Sequence, residues 1–152
     1  MGCDIHAHVE YRHATGAWVY VPELELFDYR NYNLFGWLAG VRNYSAVPPI
    51  AAPRRLPVDV SPEIAHALDG WGSDAHSVSW LSLEELQAFD YDAAVENRRM
   101  TVGNSGGHTA DPGGGTMTTY REFLGTSYFA DLERFVLAAE RGPVRVVFWF
   151  DN

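Results

Sequence analysis

The chain has 152 residues, of which 47% are hydrophobic and 14% aromatic, and this composition favours one folded domain over a disordered segment. The formal net charge is −9 and all 11 basic residues are arginines, which argues against long nucleic acid as a partner but leaves planar guanidinium groups for a small anion. Cys3 is the single cysteine, so no internal disulfide forms, and we expect a cytoplasmic protein without a leader segment or a membrane helix.

Residues 3–12 form the first predicted strand, because apolar and polar side chains alternate there. A second run at residues 17–21 is aromatic and β-branched, follows the turn residues Thr15 and Gly16, and ends at Pro22. The two runs predict an N-terminal hairpin. One face of its first strand carries groups that can transfer protons or bind a metal, namely Asp4, His6, His8 and Glu10.

Short helices are predicted where apolar residues recur at helical spacing behind a capping side chain. The predicted helices cover residues 31–41, 61–68, 82–89 and 128–140, and a further capping box begins at Thr119. The helix at 128–140 is the best defined of them. Its predicted apolar stripe consists of Phe129, Leu132, Phe135, Val136 and Ala139.

Long loops are predicted between these elements. Five prolines between residues 43 and 62 exclude a regular element and predict an ordered loop, with Arg54 and Arg55 in its middle. Residues 74–81 are predicted as a loop that enters a short extended piece. Residues 103–115 contain six glycines and no lysine, which favours a mobile loop over a phosphate-binding P-loop and leaves the role of a lid open.

The C-terminal residues 144–151 are almost continuously apolar, which predicts a buried, central strand beside the first strand. We therefore predict an α+β fold with long loops. Its small, mainly antiparallel sheet would combine the N-terminal hairpin with the C-terminal strand, and three or four short helices would cover that sheet. One domain is expected to span residues 1–152.

Several polar residues that no packing pattern explains suggest metal-free acid/base chemistry or the binding of a phosphate. Asp4 is expected to orient His6, which would act as a base or contact a phosphate. Arginines pair well with phosphate oxygens, although Arg54 and Arg55 also fit a solvated pair near Asp59. The predicted catalytic residues are Asp4, His6 and His76, and the predicted ligand-binding residues are Arg42, Arg54, Arg55, Ser77 and Ser79.

Three other interpretations stay open. Asp4, His6 and His8 recur at every second residue, about 6–7 Å apart, so the two histidines could, together with a third ligand, hold a divalent metal that activates water. The candidate third ligands are His76, His108 and Asp111. Asp4 and His6 could instead form a purely structural pair. A non-catalytic protein-interaction module would use the aromatic residues Trp18, Trp37, Trp71 and Trp149.

The opening Met-Gly-Cys-Asp-Ile-His is the first of several blocks that share one family pattern. The other blocks are residues 30–35, 38–43, 53–57, 59, 61, 74, 76–77, 79–81, 145 and 147–152. Together they resemble a family of small, mostly uncharacterised proteins that is common in bacteriophage genomes and has relatives in bacteria. The family pattern has no histidine at the position of His8, which weakens the metal hypothesis.

The resemblance implies a phage-type protein that acts in the cytoplasm of the host cell. The leading hypothesis is therefore binding of a phosphorylated, nucleotide-derived small molecule, so that a host-defence signal such as a cyclic nucleotide is sequestered or hydrolysed. If the protein is an enzyme, we expect a phosphodiester hydrolase, with no cofactor unless the divalent metal of the alternative is present. Long nucleic acid and membranes are not expected partners, and a homo-oligomer could complete the pocket.

Overall fold

A computed structural model describes residues 2–102 and 105–152. Its strands, numbered in chain order, are β1 (Ile5–Arg12), β2 (Trp18–Glu25), β3 (His76–Ser82), β4 (Ala94–Asn97), β5 (Arg99–Val102), β6 (Ser105–His108), β7 (Thr116–Thr119) and β8 (Val144–Phe150). Its helices are α1 (Tyr32–Ala39), α2 (Pro62–Trp71), α3 (Leu83–Ala88), α4 (Tyr120–Leu124) and α5 (Thr126–Ala138), with 3₁₀ turns at Gly72–Asp74 and Ala139–Arg141.

Contacts divide the chain into two compact units that alternate along the sequence. The first unit contains the described residues up to Arg30, then Pro53–Phe89 and Ser127–Asn152. The second unit contains Asn31–Ala52 and Asp90–Thr126. This division rests on contacts within each unit and does not show whether a unit folds independently. The single domain over residues 1–152 therefore stays a prediction.

The first unit is built on a four-stranded antiparallel sheet with the strand order β2-β1-β8-β3. All seven residues of β8 are buried, as expected for an apolar strand with a partner on each side. The α+β class and the central place of the C-terminal strand are thus confirmed. The sequence prediction had no fourth strand, because the segment that forms β3 has little apolar alternation and was expected to be mainly loop.

Strand β2 continues through Pro22 to Glu25, so the prediction that Pro22 ends it is wrong. The register explains why a proline is tolerated there. His8 faces Glu25 and Glu10 faces Tyr20. Between these two pairs β1 has one residue and β2 has four, so β2 is irregular at the position of Pro22. In addition β2 is an edge strand, where a missing backbone N–H does not interrupt a ladder on the outer side.

One core of the first unit lies on the sheet face that carries Val147 and Trp149, which pack against Ile64 of α2. Helix α5 buries Tyr128, Asp131 and Phe135, whereas Val136 of the predicted stripe is 40% exposed. Asp131 replaces an apolar residue in this row because its carboxylate accepts a hydrogen bond from the backbone N–H of Phe27, at 2.8 Å. A buried backbone donor is thereby satisfied.

The second unit consists of α1, α4 and two antiparallel strand pairs, β4–β7 and β5–β6. Asn31 caps α1 through its side-chain oxygen, which accepts from the N–H of Leu34 at 3.2 Å, and Thr119 caps α4 in the same way. The predicted helix start at residue 31 and the capping role of Thr119 are thus confirmed, and of the capping box predicted there the structure shows the bond from the Glu122 N–H to Thr119. Residues 103–115 were predicted as a mobile loop, but β6 lies within that range, while Gly103 falls outside the described residues.

Among the helices of the described ranges 2–102 and 105–152, none has the length and apolar character needed to cross a membrane.

Candidate functional site

His6 lies on β1, and its carboxylate partner is Asp151 and not Asp4. The ring Nε2 of His6 lies 2.9 Å from Asp151 Oδ2, while the backbone N–H of Asp4 donates to Asp151 Oδ1 at 3.0 Å. Partial burial opposes ionisation of Asp151, but the hydrogen bonds from His6 and from the Asp4 amide outweigh it, so the pKa of Asp151 is lowered. Asp151 therefore stays ionised and fixes the orientation of the imidazole.

The carboxylate of Asp4 is engaged by Arg30 instead. Arg30 donates from Nε and from Nη2 to the two oxygens of Asp4, at 3.0 and 2.9 Å. Both side chains are about half exposed. Asp4 thus orients an arginine at the surface, and the structure contradicts the expectation that it orients His6.

Glu10 and His8 share the polar face of the first strand, but Glu10 is not solvated. Its side chain is fully buried, bound to Arg145 Nε at 2.5 Å and to the backbone N–H of Ser61 at 3.0 Å. Arg145 binds Asp59 as well, at 2.9 Å. His8 lies between the rings of Tyr20 and Trp149, and burial, followed by the charge of His6, lowers its pKa.

A groove of about 370 Å³ lies beside His6 in the first unit. Its titratable lining is mainly acidic: Asp4, His6, Glu25, Asp28 and Tyr29. Carboxylates at this density repel a phosphate, since like charges in partly desolvated sites raise the free energy of binding. The expected contact between His6 and a phosphate therefore has no electrostatic support from this groove.

Arg54 is bound within the protein. Its guanidinium donates to both oxygens of Glu85, at 2.8 and 2.5 Å, and to the carbonyl of Trp80 at 3.2 Å. Hydrogen bonds from Arg54, only partly opposed by burial, lower the pKa of Glu85 to about 2. This bidentate pair ties the 53–57 segment to α3, which favours a structural role for Arg54 over a ligand-binding one.

His76, Ser77 and Ser79 gather at a bulge of β3. His76 faces Phe150 and Ser79 faces Phe148, so β3 holds one residue more than β8 over this stretch. The ring of His76 contacts Ser77 Oγ at 3.1 Å. The hydroxyl of Ser79 accepts from the backbone N–H of Arg54 at 3.0 Å, so Ser79 is buried and structural.

The structure does not bring His6 and His76 onto the same surface. His6 pairs with Trp149, whereas His76 pairs with Phe150. Neighbouring residues of a strand project to opposite faces of the sheet. The proposed cooperation of these two histidines at one phosphate is therefore not supported, and Arg42 belongs to the other compact unit.

Within the second unit, a cleft of about 240 Å³ is lined by aromatic and basic side chains. Its lining consists of Tyr32, Tyr44, Arg99, Gly107 and His108. Arg42 adjoins it, because its Nη1 lies 3.4 Å from the hydroxyl of Tyr44. This group is called the aromatic–arginine cleft below.

The aromatic–arginine cleft is organised around the ring of Tyr32. The guanidinium carbons of Arg42 and Arg99 lie 5.7 and 5.2 Å from the centre of that ring, within the range of cation–π attraction. Tyr44 meets Tyr32 edge to face at 6.0 Å and stacks on His108 at 4.5 Å. The cleft thus presents guanidinium donors beside flat aromatic surfaces, which is the chemistry that phosphate and planar rings need.

Arg42 was predicted to bind a ligand and His108 was considered as a metal ligand, whereas Tyr32, Tyr44 and Arg99 had no predicted role. Tyr32 and Tyr44 were counted as part of a helix and a loop, and His108 was assigned to a glycine-rich loop. The available signal was the interleaving of aromatic and basic residues over 30–44, which is typical of surfaces that bind nucleotides, together with the arginine pair at 98–99. Asp151, the partner of His6, was also missed.

Comparison of the chain with protein-family models, with curated proteins and with solved structures gives no match in any of the three. The resemblance to the phage family therefore stays a prediction. Among residues 2–102 and 105–152, no three His, Cys, Asp or Glu side chains are grouped so as to hold a metal ion. Of the four tryptophans named for an interface, Trp37 and Trp149 are fully buried and Trp71 is 36% exposed.

Proposed function

We propose that this protein binds a small phosphorylated molecule with a planar ring, of the nucleotide type, in the aromatic–arginine cleft. The observation that supports the proposal most directly is the placement of Arg42 and Arg99 against one tyrosine ring, with Tyr44 and His108 stacked beside it. Guanidinium groups bind phosphate oxygens in a planar, two-bond geometry. Stacking of a base on an aromatic side chain contributes about 1–3 kcal/mol.

The charge distribution supports the same site. The protein has a formal charge of −9, and most of its arginines form ion pairs with carboxylates, as Arg54, Arg98, Arg121, Arg134, Arg141 and Arg145 do. Arg99 is exposed and takes part in no ion pair among the described residues. An anion bound there gains a positive partner without breaking an internal salt bridge.

The biological role that we propose is sequestration of a nucleotide messenger, such as a cyclic nucleotide of host defence. Binding alone lowers the free concentration of a ligand when the protein is abundant and the complex is tight. Chromatography of the ligand after incubation distinguishes sequestration of the nucleotide from its hydrolysis. Recovery of the intact nucleotide indicates sequestration, and recovery of a cleaved product indicates phosphodiester hydrolysis.

Thermal shift against a panel of mono-, di- and cyclic nucleotides tests the proposal, with matched nucleosides and inorganic phosphate as reference compounds. A ligand that binds only the folded state raises the Tm, so at least one phosphorylated nucleotide is expected to raise it more than its nucleoside does. Arg99→Gln is expected to weaken that nucleotide by at least about tenfold, because one charged hydrogen-bond donor group is lost.

Arg121→Gln is the matched control, since Arg121 lies in the same unit, is about half exposed and pairs with Asp92 away from the cleft. Its affinity for the nucleotide should equal that of the wild type. A panel in which no nucleotide raises the Tm contradicts the proposal, as does unchanged affinity in Arg99→Gln.

A further inference from the structure

A serine, a histidine and an amide form a connected chain of hydrogen bonds in the first unit. His76 Nδ1 lies 3.1 Å from Ser77 Oγ, and His76 Nε2 lies 3.2 Å from Asn152 Oδ1. Nucleophilic hydrolases use this order of groups, in which a base contacts the nucleophile and a third side chain orients the base. The aromatic–arginine cleft has no part in it.

The partners determine the tautomer of His76. The amide oxygen of Asn152 can only accept a hydrogen bond, so Nε2 carries the proton in the neutral ring. Nδ1 is then unprotonated and faces the hydroxyl of Ser77, which donates to it. The imidazole is thereby held in the one state that can take the proton of Ser77. Its ring is also stacked on Phe150, with the two centres 6.1 Å apart.

The backbone at Ser77 is strained in a way that a structural serine does not require. Ser77 has φ of +53°, in the left-handed region that non-glycine residues rarely adopt. It lies inside the bulge of β3. Bulges and unfavourable backbone angles occur preferentially next to active sites, where they aim a side chain.

The backbone of Arg55 lies beside this bulge. The backbone N–H of Arg55 donates to the carbonyl of Val78 at 2.8 Å, the side chain of Arg55 is exposed, and its φ is +67°. Arg55 was predicted to bind an anion. The hydrogen bond to Val78 holds the backbone of the residue that follows Ser77 in place.

We propose that Ser77 is the nucleophile of an acyl-transfer site, with His76 as general base and Asn152 as a positioning residue, and that its substrates are carboxylic esters. Ser77 Oγ forms a bond to the ester carbonyl carbon and its proton moves to His76 Nδ1. The bond from that carbon to the alcohol oxygen breaks, and the alcohol leaves with this proton. Water then adds to the acyl-serine, its proton passing through Nδ1 back to Ser77 Oγ, and the carboxylic acid departs.

Labelling of the full chain with a fluorophosphonate probe, followed by peptide mass mapping, tests the proposal. Serine oxygen displaces fluoride at phosphorus, so a single adduct is expected on Ser77. Ser77→Gly is expected to abolish labelling while the protein stays folded, since glycine adopts φ of +53° without strain. His76→Gln is expected to slow labelling about 100-fold, the usual contribution of a general base. Ser73→Ala, an exposed serine outside the group, should label at the wild-type rate.

The role of Asn152 is tested by rescue. Asn152→Ala is expected to slow labelling, and Asn152→Asp is expected to restore it, because a carboxylate oxygen also accepts from Nε2. A residue that only held the chain end in place would not show this recovery. Absence of an adduct on Ser77, an adduct on another residue, or wild-type labelling of His76→Gln overturns the proposal. None of these readouts depends on nucleotide binding, so this proposal and the proposed function fail separately.

Discussion

The charged groups of the two compact units are used differently. In the first unit many charges of the sheet and its covering segments are paired with each other, as in Glu10–Arg145, Asp4–Arg30 and Arg54–Glu85. In the aromatic–arginine cleft of the second unit, guanidinium groups lie against a tyrosine ring. A paired charge contributes to folding, whereas a cation on an aromatic surface can still bind an anion. Net charge alone, which is −9, does not reveal this difference.

The largest effect is expected when a buried pair of the first unit is broken. Glu10→Ala removes the carboxylate that binds the buried Nε of Arg145 and the N–H of Ser61, although Arg145 keeps its pair with Asp59. Loss of one partner of a buried pair destabilises by about 3–5 kcal/mol. Chemical denaturation measures the free energy of unfolding. Asp4→Ala, which breaks the exposed pair with Arg30, should change it by less than about 1 kcal/mol.

If both variants were equally stable, the buried pair would have no greater role than the exposed one, and the assignment of the first unit's charges to folding would be wrong.

A smaller effect, on binding and not on folding, is expected in the second unit. Tyr44→Leu keeps an apolar side chain but removes the ring that stacks on His108. The affinity for the nucleotide found by thermal shift should fall about 10- to 100-fold, which is the contribution of one stacked base. Isothermal titration calorimetry measures it. Affinity for pyrophosphate, which has no ring, should be unchanged, and an equal loss for both compounds would argue against stacking.

The smallest effect concerns the pH dependence of the Arg54–Glu85 pair. Because hydrogen bonds from Arg54 lower the pKa of Glu85 from 4.5 to about 2, the pair stabilises the folded state above pH 4.5. That contribution is lost as the pH falls towards about 2. Both side chains are about one-third exposed, so solvent screening keeps the effect below about 1 kcal/mol.

Denaturation of the wild type and of Glu85→Gln at pH 5 and pH 3 checks this prediction. The wild type should lose more stability between these two values than the variant does. Identical losses would show that Arg54 is not held by an ionised Glu85, and the case for a structural Arg54 would then be weaker.

Much of the fold followed from local patterns. Alternation predicted β1, an apolar run predicted β8, and helical spacing behind a capping side chain predicted α1 and α3, which Asn31 and Ser82 cap in the structure. These features depend on residues within a few positions of each other, so the local sequence is sufficient to predict them. Strand β3 was predicted only as a short extended piece and not as part of the sheet, because its polar residues and its bulge interrupt the pattern.

The candidate sites were less predictable, because their contacts join distant residues. His6 meets Asp151 across 145 positions, and Asp4, two positions away, was the wrong choice of partner. Glu10 looked like a surface residue by alternation, since a strand face with histidines and carboxylates is usually solvated. Its burial depends on α2 and on Arg145, neither of which the pattern of β1 can indicate.

The sequence by itself determined the α+β class, most element positions and the arginine-only cation content, because propensity and periodicity act over short distances. Only the tertiary structure decided which charges are paired within the protein and which aromatic rings lie against a guanidinium group. Such pairings depend on long-range register, as between β1, β8 and β3, and on how loops return to the same surface. The chemistry of this protein is therefore set by contacts between residues far apart in the chain.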